Sequence, residues 1–264
     1  MHQLQLVDLI TLALIEGVAD LLPVDSSAHA LLASWLLHWR AGPIVISIHA
    51  GAAIALLLYF WRDVGRMGLG VWRLAHGRVE TGGRLLGKVI AVATPWAVAA
   101  AMGGRPVPGP DLLPVVGAIT LVSAILMLLI DRLSMTVKRI EHLSLASVAG
   151  LALLQLLALI PGVGRVVALL SGARLLGMER ADAYRFVLLV QIPILLVQAV
   201  AEASLCYRPG ALPSMGDLLM AAITIACVLP AVALSMAWMR RFGLTPFAVY
   251  RLGVGAALIG LTVL

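Results

Sequence analysis

Six apolar runs, near 43–61, 86–102, 112–130, 186–205, 218–239 and 246–264, are each about long enough to cross a bilayer. A hydrocarbon core about 30 Å thick takes roughly 20 apolar residues in a helix. Two further apolar runs break the pattern. The one from Leu4 to Ile15 is too short to span and ends among carboxylates. The one from Leu143 to Ile160 stops at Pro161-Gly162-Val163-Gly164-Arg165 and restarts as Val166–Ala173. Both predict a helix, a loop and a helix that enter the membrane and turn back. Irregular backbone at that depth is tolerated only where it lines a cavity. At the second break the competing reading is one kinked spanning helix with a snorkelling Arg165. Arg251, in the first turns of the last run, is expected to snorkel to the interface.

The order of these runs is a repeat. Residues 1–132 read as a hairpin plus three spans, and so do residues 142–264. The predicted fold class is all-α integral membrane. It has two inverted repeats, each a re-entrant helical hairpin plus three transmembrane helices, in one polytopic domain over residues 1–264. Charge sets the orientation. Fourteen Arg and Lys residues fall on loops assigned to one side, among them Arg62, Arg66, Arg73, Lys138, Arg180 and Arg241. Arg40, Arg105 and Arg208 fall on the other. The richer side is cytoplasmic by the positive-inside rule, which leaves both termini extracytoplasmic. Residues 65–83 place Leu69, Trp72 and Leu74 among arginines, as either a membrane-surface segment or a solvated basic loop.

Composition agrees. The chain of 264 residues is 62% hydrophobic and 12% charged, which excludes a pair of soluble domains. The net charge of +6 sits in short loops between apolar runs, so it argues for topology and against nucleic acid. Cys206 and Cys227 have no metal-ligand spacing and read as two unpaired thiols. The N-terminus has no basic region or cleavage site of a removable signal peptide.

The chemistry concentrates in Glu16–His29, which carries three carboxylates, two hydroxyls and a histidine. Ionisable groups at membrane depth cost roughly 2.5–3.5 kcal/mol each, so such a cluster marks function. Glu16 and Asp20 are four apart and share a helical face. They repel unless something positive lies between them. A hard divalent cation, Mg or Ca, suits such oxygen ligands. Protonation, or pairing with Arg165, is the alternative. Ser26 and His29 are three apart, so a helix starting near Asp25 would let His29 take the proton of Ser26. Asp25 or Ser26 serving as a helix cap is the other reading. The second break offers glycine-bearing turn N–H groups and an arginine suited to bidentate phosphate contact. Ser27, Gly162, Gly164 and Arg165 are the candidate substrate contacts. His49, Gln155 and Gln191 read as core polar groups, with the glutamines bonding between helices. Together these are the parts of a phosphoryl-transfer site for a membrane-borne substrate.

The two loops resemble the bacterial integral-membrane undecaprenyl-diphosphate phosphatases. That family carries EGxxEFLPVSSTGH, matched here by Glu16–His29, and PGxSRSGAT, matched by Pro161–Leu169. The similarity runs on through Tyr59-Phe60-Trp61-Arg62, Gln155–Gly162 and Pro246-Phe247-Ala248-Val249-Tyr250-Arg251. It implies an inner-membrane enzyme of two inverted repeats. The enzyme would convert undecaprenyl diphosphate to the monophosphate and so recycle the lipid carrier of peptidoglycan synthesis. It also implies functional roles for Glu16, Asp20, Ser26, His29 and Arg165, with Asp20 replacing a glutamate. Glu16 and Asp20 would hold a divalent cation. Ser26, assisted by His29, would attack the terminal phosphorus, or His29 would activate a water. The departures are Asp25 for serine, Ala28 for glycine, Gly164 for serine, Val166 and Val167 for Ser-Gly, Leu169 for threonine and His49 for glutamine. The second loop has thus lost its hydroxyls. The expected partners are the polyprenyl diphosphate, the membrane and, in a homodimer, a second copy of the chain. A non-catalytic polyprenyl-phosphate transporter or binding protein is the rival. A proton-coupled solute transporter would need a relay of acids and histidines in both halves, and toward its outer edge the second half offers only Glu202 and Asp217.

Overall fold

The computed structural model describes residues 6–37, 45–78, 80–102, 109–136, 138–206 and 212–262. The termini and Arg40, Arg105 and Arg208, on which the assigned orientation partly stands, lie outside the described residues. The described chain is helical throughout, apart from one isolated bridge between Lys138 and Met178.

The first polar break is a helix–loop–helix. Helix α1, Leu6–Leu12, continues into a π-helical turn, Ala13–Val18, and α2 runs over Ser26–Leu37. Then come α3, Val45–Tyr59; α4, Trp61–Ala75; α5, Thr81–Ala101; and α6, Leu113–Leu133. The second break has the same form. Helix α7, Leu145–Gln155, passes through a 3₁₀ turn, Leu156–Leu159, to a loop and then α8, Arg165–Leu175. Helices α9, Arg180–Cys206, α10, Met215–Arg241, and α11, Thr245–Gly260, complete the chain. The stretch 65–83, expected as a loop or surface segment, is mostly α4 and the start of α5.

Three described helices are long and apolar enough to cross a membrane: Leu113–Leu133, Arg180–Ser204 and Met215–Arg241. Ile46–Tyr59, Leu145–Leu159 and Thr245–Gly260 are shorter apolar helices. Helix α6 turns Val122, Leu126, Leu129 and Leu133 outward, the inverse of a soluble helix and the arrangement lipid favours. Local chemistry fixes the helix ends. Ser144 caps α7 by accepting from Ser147 N at 3.1 Å. Ser214 and Asp217 form a reciprocal capping box at the start of α10.

Helix α9 lies at the centre, with Tyr184, Leu188, Leu189, Val190 and Ile194 fully buried. It packs on α3 and α5, while α3 also lies along α10 and α6 along α11. The π turn after α1 packs on α10, and α7 packs on α5. A buried ion cluster joins four elements at one end. Asp131 of α6 accepts from Arg174 Nε of α8 at 3.1 Å, Arg180 Nε of α9 at 2.7 Å and Leu244 N before α11 at 3.1 Å. Asp63 of α4 pairs with Arg185 of α9. His49 of α3 meets Glu202 of α9 at 2.8 Å, and Ser47 meets Asp217 at 3.1 Å. His49 is thus the core histidine with one hydrogen bond that its setting predicted.

Candidate functional site

Glu16 stands in the π turn, where Ala19 N reaches back five residues to Leu14 O at 2.9 Å. Such turns are rare and recur at functional sites. Asp20 follows in the buried turn and pairs with Arg165, the first residue of α8. Arg165 is only 3% exposed. Its guanidinium also donates to Gln198 Oε1 of α9 and lies 5.2 Å from the ring centroid of Trp96. Pairing with Arg165, one of the readings the sequence offered for Asp20, is present. Ser26 Oγ donates to the other Asp20 oxygen at 3.1 Å. A hydroxyl, a carboxylate and a guanidinium from both loops therefore form one buried chain.

Asp25 starts the second helix of the first hairpin. Its φ is +79°, a left-handed conformation that Asp tolerates better than most side chains. Its carboxylate accepts from Ser27 N and Ala28 N, both at 3.3 Å, and from Ser27 Oγ at 2.5 Å. This is a helix cap. Ser27 Oγ in turn accepts from Gly162 N at 3.1 Å. That turn N–H, expected to face substrate, is spent on the first loop.

The spacing of Ser26 and His29 does not make them partners. His29 Nδ1 meets Asp25 O at 2.6 Å, and Nε2 meets Tyr250 Oη at 2.7 Å, with the two rings stacked. Both ring nitrogens are thereby engaged away from Ser26. Tyr250 is a site neighbour that sequence reasoning left unassigned, although it lay in a quoted stretch of similarity.

Arg251 is the larger surprise. Expected to snorkel, it is fully buried. It donates to Val24 O at 2.7 Å in the first loop and to Gly162 O at 2.8 Å and Val163 O at 3.3 Å in the second. It also donates to Ser123 Oγ of α6, which itself donates to Gly162 O at 3.1 Å. The reason is unpaired backbone. Two loops inside an apolar fold carry carbonyls that no helix satisfies, and a five-donor side chain can serve both.

The second loop needs its glycines. Gly162 and Gly164 have φ of +93° and +80°. A Cβ on Gly164 would lie 2.9 Å from Asp25 Cβ, and one on Gly162 would lie 2.8 Å from Val116 O. The serine of the family pattern therefore has no room at 164 beside this aspartate. Leu169 is buried in the apolar core, so the missing threonine is no gap in a polar surface. Ser27 and Ser123 bring hydroxyls to Gly162 from outside the second motif. Gln155 and Gln191, expected to bond between helices, are fully buried without a hydrogen bond among the described residues.

For a metal, the donors present are carboxylate oxygens, which suit a hard cation. Among the described residues no group of three or more His, Cys, Asp or Glu can hold an ion. Glu16 and Asp20 would hold a cation only together with oxygens of a bound diphosphate, a common arrangement for Mg. Cys227 is a free thiol, and the Cys206 side chain lies outside the described residues.

Known proteins give this geometry its context. The chain is 38% identical to undecaprenyl-diphosphatase 1 of Rhodospirillum rubrum, over 98% of this chain and 96% of the relative. It is 38% identical to undecaprenyl-diphosphatase 1 of Paramagnetospirillum magneticum, over 96% of each. It is 35% identical to undecaprenyl-diphosphatase of Maricaulis maris, over 97% and 98%. Residues 9–257, which hold both loops and the arginine that braces them, match the family described as bacitracin resistance protein BacA, and the chain belongs to that family.

Proposed function

We infer that the protein is a membrane phosphatase that converts undecaprenyl diphosphate to undecaprenyl phosphate in recycling of the lipid carrier for cell-wall synthesis. The observation that carries this reading is the buried chain Ser26–Asp20–Arg165, built across two loops of an apolar fold. The names of the full-length relatives support the same substrate class.

In the proposed reaction the terminal phosphate competes with Asp20 for the Arg165 guanidinium, which neutralises its charge. Ser26 Oγ forms a bond to the terminal phosphorus as the bond to the bridging oxygen breaks. Polyprenyl monophosphate leaves. Asp20 is placed to accept the Ser26 proton, and water then releases phosphate from the serine. Direct attack by water is the second route, with His29 as its base once Nε2 gives up its bond to Tyr250 Oη. A Mg or Ca ion held by Glu16 and Asp20 would neutralise diphosphate charge when bound. Ser27, Gly162 and Gly164 shape the phosphate pocket through the tie between the loops.

The two-repeat architecture is part of the proposal. Its support is the reciprocity of packing between the halves. Helix α3 pairs with α10 as α5 does with α9, the π turn with α10 as α7 does with α5, and α6 with α11. The setting is the bacterial inner membrane, with both termini extracytoplasmic. A homodimer is measurable by light scattering of the purified protein.

The test is release of phosphate from C55 and shorter polyprenyl diphosphates by purified protein, with and without Mg or Ca. Release that is lost in Arg165→Ala is expected. No release from folded protein would favour the non-catalytic transporter or binding reading.

A further inference from the structure

Helix α4 carries three parallel stripes, set by the 3.6-residue period of the helix. Asp63, Met67 and Gly70 are buried. At Gly70 the backbone of α5 approaches so closely that a Cβ would lie 2.1 Å from Gly83 N. The next stripe holds Arg62, Arg66 and Arg73, with Leu69 between them. The third holds Trp61, Gly65, Gly68 and Trp72, turned fully away from the protein. Trp61 is 64% exposed, Trp72 63% and Leu69 58%.

This is not a spanning helix, because three arginines and an aspartate lie within fifteen residues. It is not a solvated one either, because two tryptophans and a leucine stay more than half exposed, with His76 and Arg62 of the same segment against the indoles. The single acid of α4 is withdrawn from the surface, since Asp63 turns inward to Arg185. Around the outer face stand Arg62, Arg66, Arg73, Arg78 and Arg84 against one carboxylate, Glu80, which pairs with Arg73. Arg62 also lies 5.2 Å from the Trp61 ring centroid, so cation and indole form one surface.

We propose that α4 is an interfacial helix that binds the anionic phospholipid surface of its own membrane. Trp61, Leu69 and Trp72 enter the headgroup–acyl boundary, and the Arg62–Arg66–Arg73 stripe holds phosphate groups. Indole rings favour that depth, and helices with an apolar face bordered by arginines lie in the interface plane. Each arginine near an anionic surface contributes about a fivefold preference. The site is separate from the phosphatase loops and does not depend on the function assigned to them.

The experiment uses the full chain in nanodiscs of phosphatidylcholine with phosphatidylglycerol, after Cys206 and Cys227 are replaced. A spin label at Gly68→Cys has open space around its Cβ. It should meet oxygen more often than a water-soluble nickel complex. The triple variant Arg62→Gln, Arg66→Gln, Arg73→Gln should reduce phosphatidylglycerol retained by the purified protein about tenfold or more. An equal triple change at Arg132, Arg240 and Arg241 is the control. A label more accessible to nickel would overturn the proposal. So would phosphatidylglycerol retention that falls no further than in the control.

Discussion

At Arg165 one side chain faces a carboxylate, an amide and an indole, and its planar fork is what lets it do so. Arg165→Lys keeps the charge and loses the fork. We expect it to lower kcat/KM for polyprenyl diphosphate about a hundredfold or more, close to Arg165→Ala, with Asp20 left underpaired in both. Steady-state phosphate release measures this. Asp25 separates structure from chemistry differently. Asn caps helices and tolerates positive φ as Asp does. Asp25→Asn should therefore melt within about 1 kcal/mol of wild type in detergent. Asp25→Ala loses the cap and meets left-handed strain, for a loss of about 2–4 kcal/mol. Gly164→Ser should lower the melting temperature and the activity together, because its side chain collides with Asp25. Equal stability of Gly164→Ser and wild type would refute the tight contact between the loops. The sequence located these residues well, since charge in an apolar chain stands out. It misplaced their bonds. Spacing says which groups share a helix face and says nothing of Tyr250, which draws His29 away from Ser26 from 221 residues along the chain.

At the scale of helices, the hydrophobic pattern was legible wherever a run was long and uniform. It predicted α6, α9 and α10 and both helix–loop–helix breaks. It left α4 open between a membrane-surface segment and a solvated basic loop, because fifteen residues of mixed arginine and tryptophan fix no face until neighbours do. Gly70 is that fixing point. Gly70→Ala should detach α4 from the start of α5, and the displaced helix should become the first site of limited proteolysis. An unchanged digestion pattern would argue against the close approach. Arg251 was misread for a related reason. A lone arginine near a helix end has water as its default partner, and only the folded loops supply carbonyls instead. Where Arg251 meets α6 midway, at Ser123, the Asp131 cluster makes the corresponding link at its C-terminal end. Asp131→Ala leaves Arg174 buried beside an empty position, and breaking such a pair costs about 3–5 kcal/mol. The loss should appear as early aggregation on heating in detergent.

Across the whole molecule, the proposed orientation, which rests on the charge distribution, has Arg73 and Lys138 facing the cytoplasm and both termini the opposite side. Single cysteines at positions 73 and 138, in a background without Cys206 and Cys227, would label from the cytoplasmic face alone with an impermeant reagent, and cysteines at the termini from the opposite face alone. Labelling of position 73 from outside would reverse the orientation. The site draws on both halves of the chain, and this has a consequence in time. Asp20 and Arg165 are 145 residues apart. A ribosome adding roughly 5–20 residues each second reaches Arg165 roughly 7–30 s after Asp20. Through that interval the first hairpin has made its carboxylate without the cation that later neutralises it. Seating the hairpin at depth then carries the full penalty for an ionisable group in lipid. The hairpin should wait at the water interface, and a nascent chain arrested before residue 165 should leave it open to protease. Completion of α8, and then of α11 with Arg251, would draw it in, so the hairpin encoded first would be the last part of the site to settle.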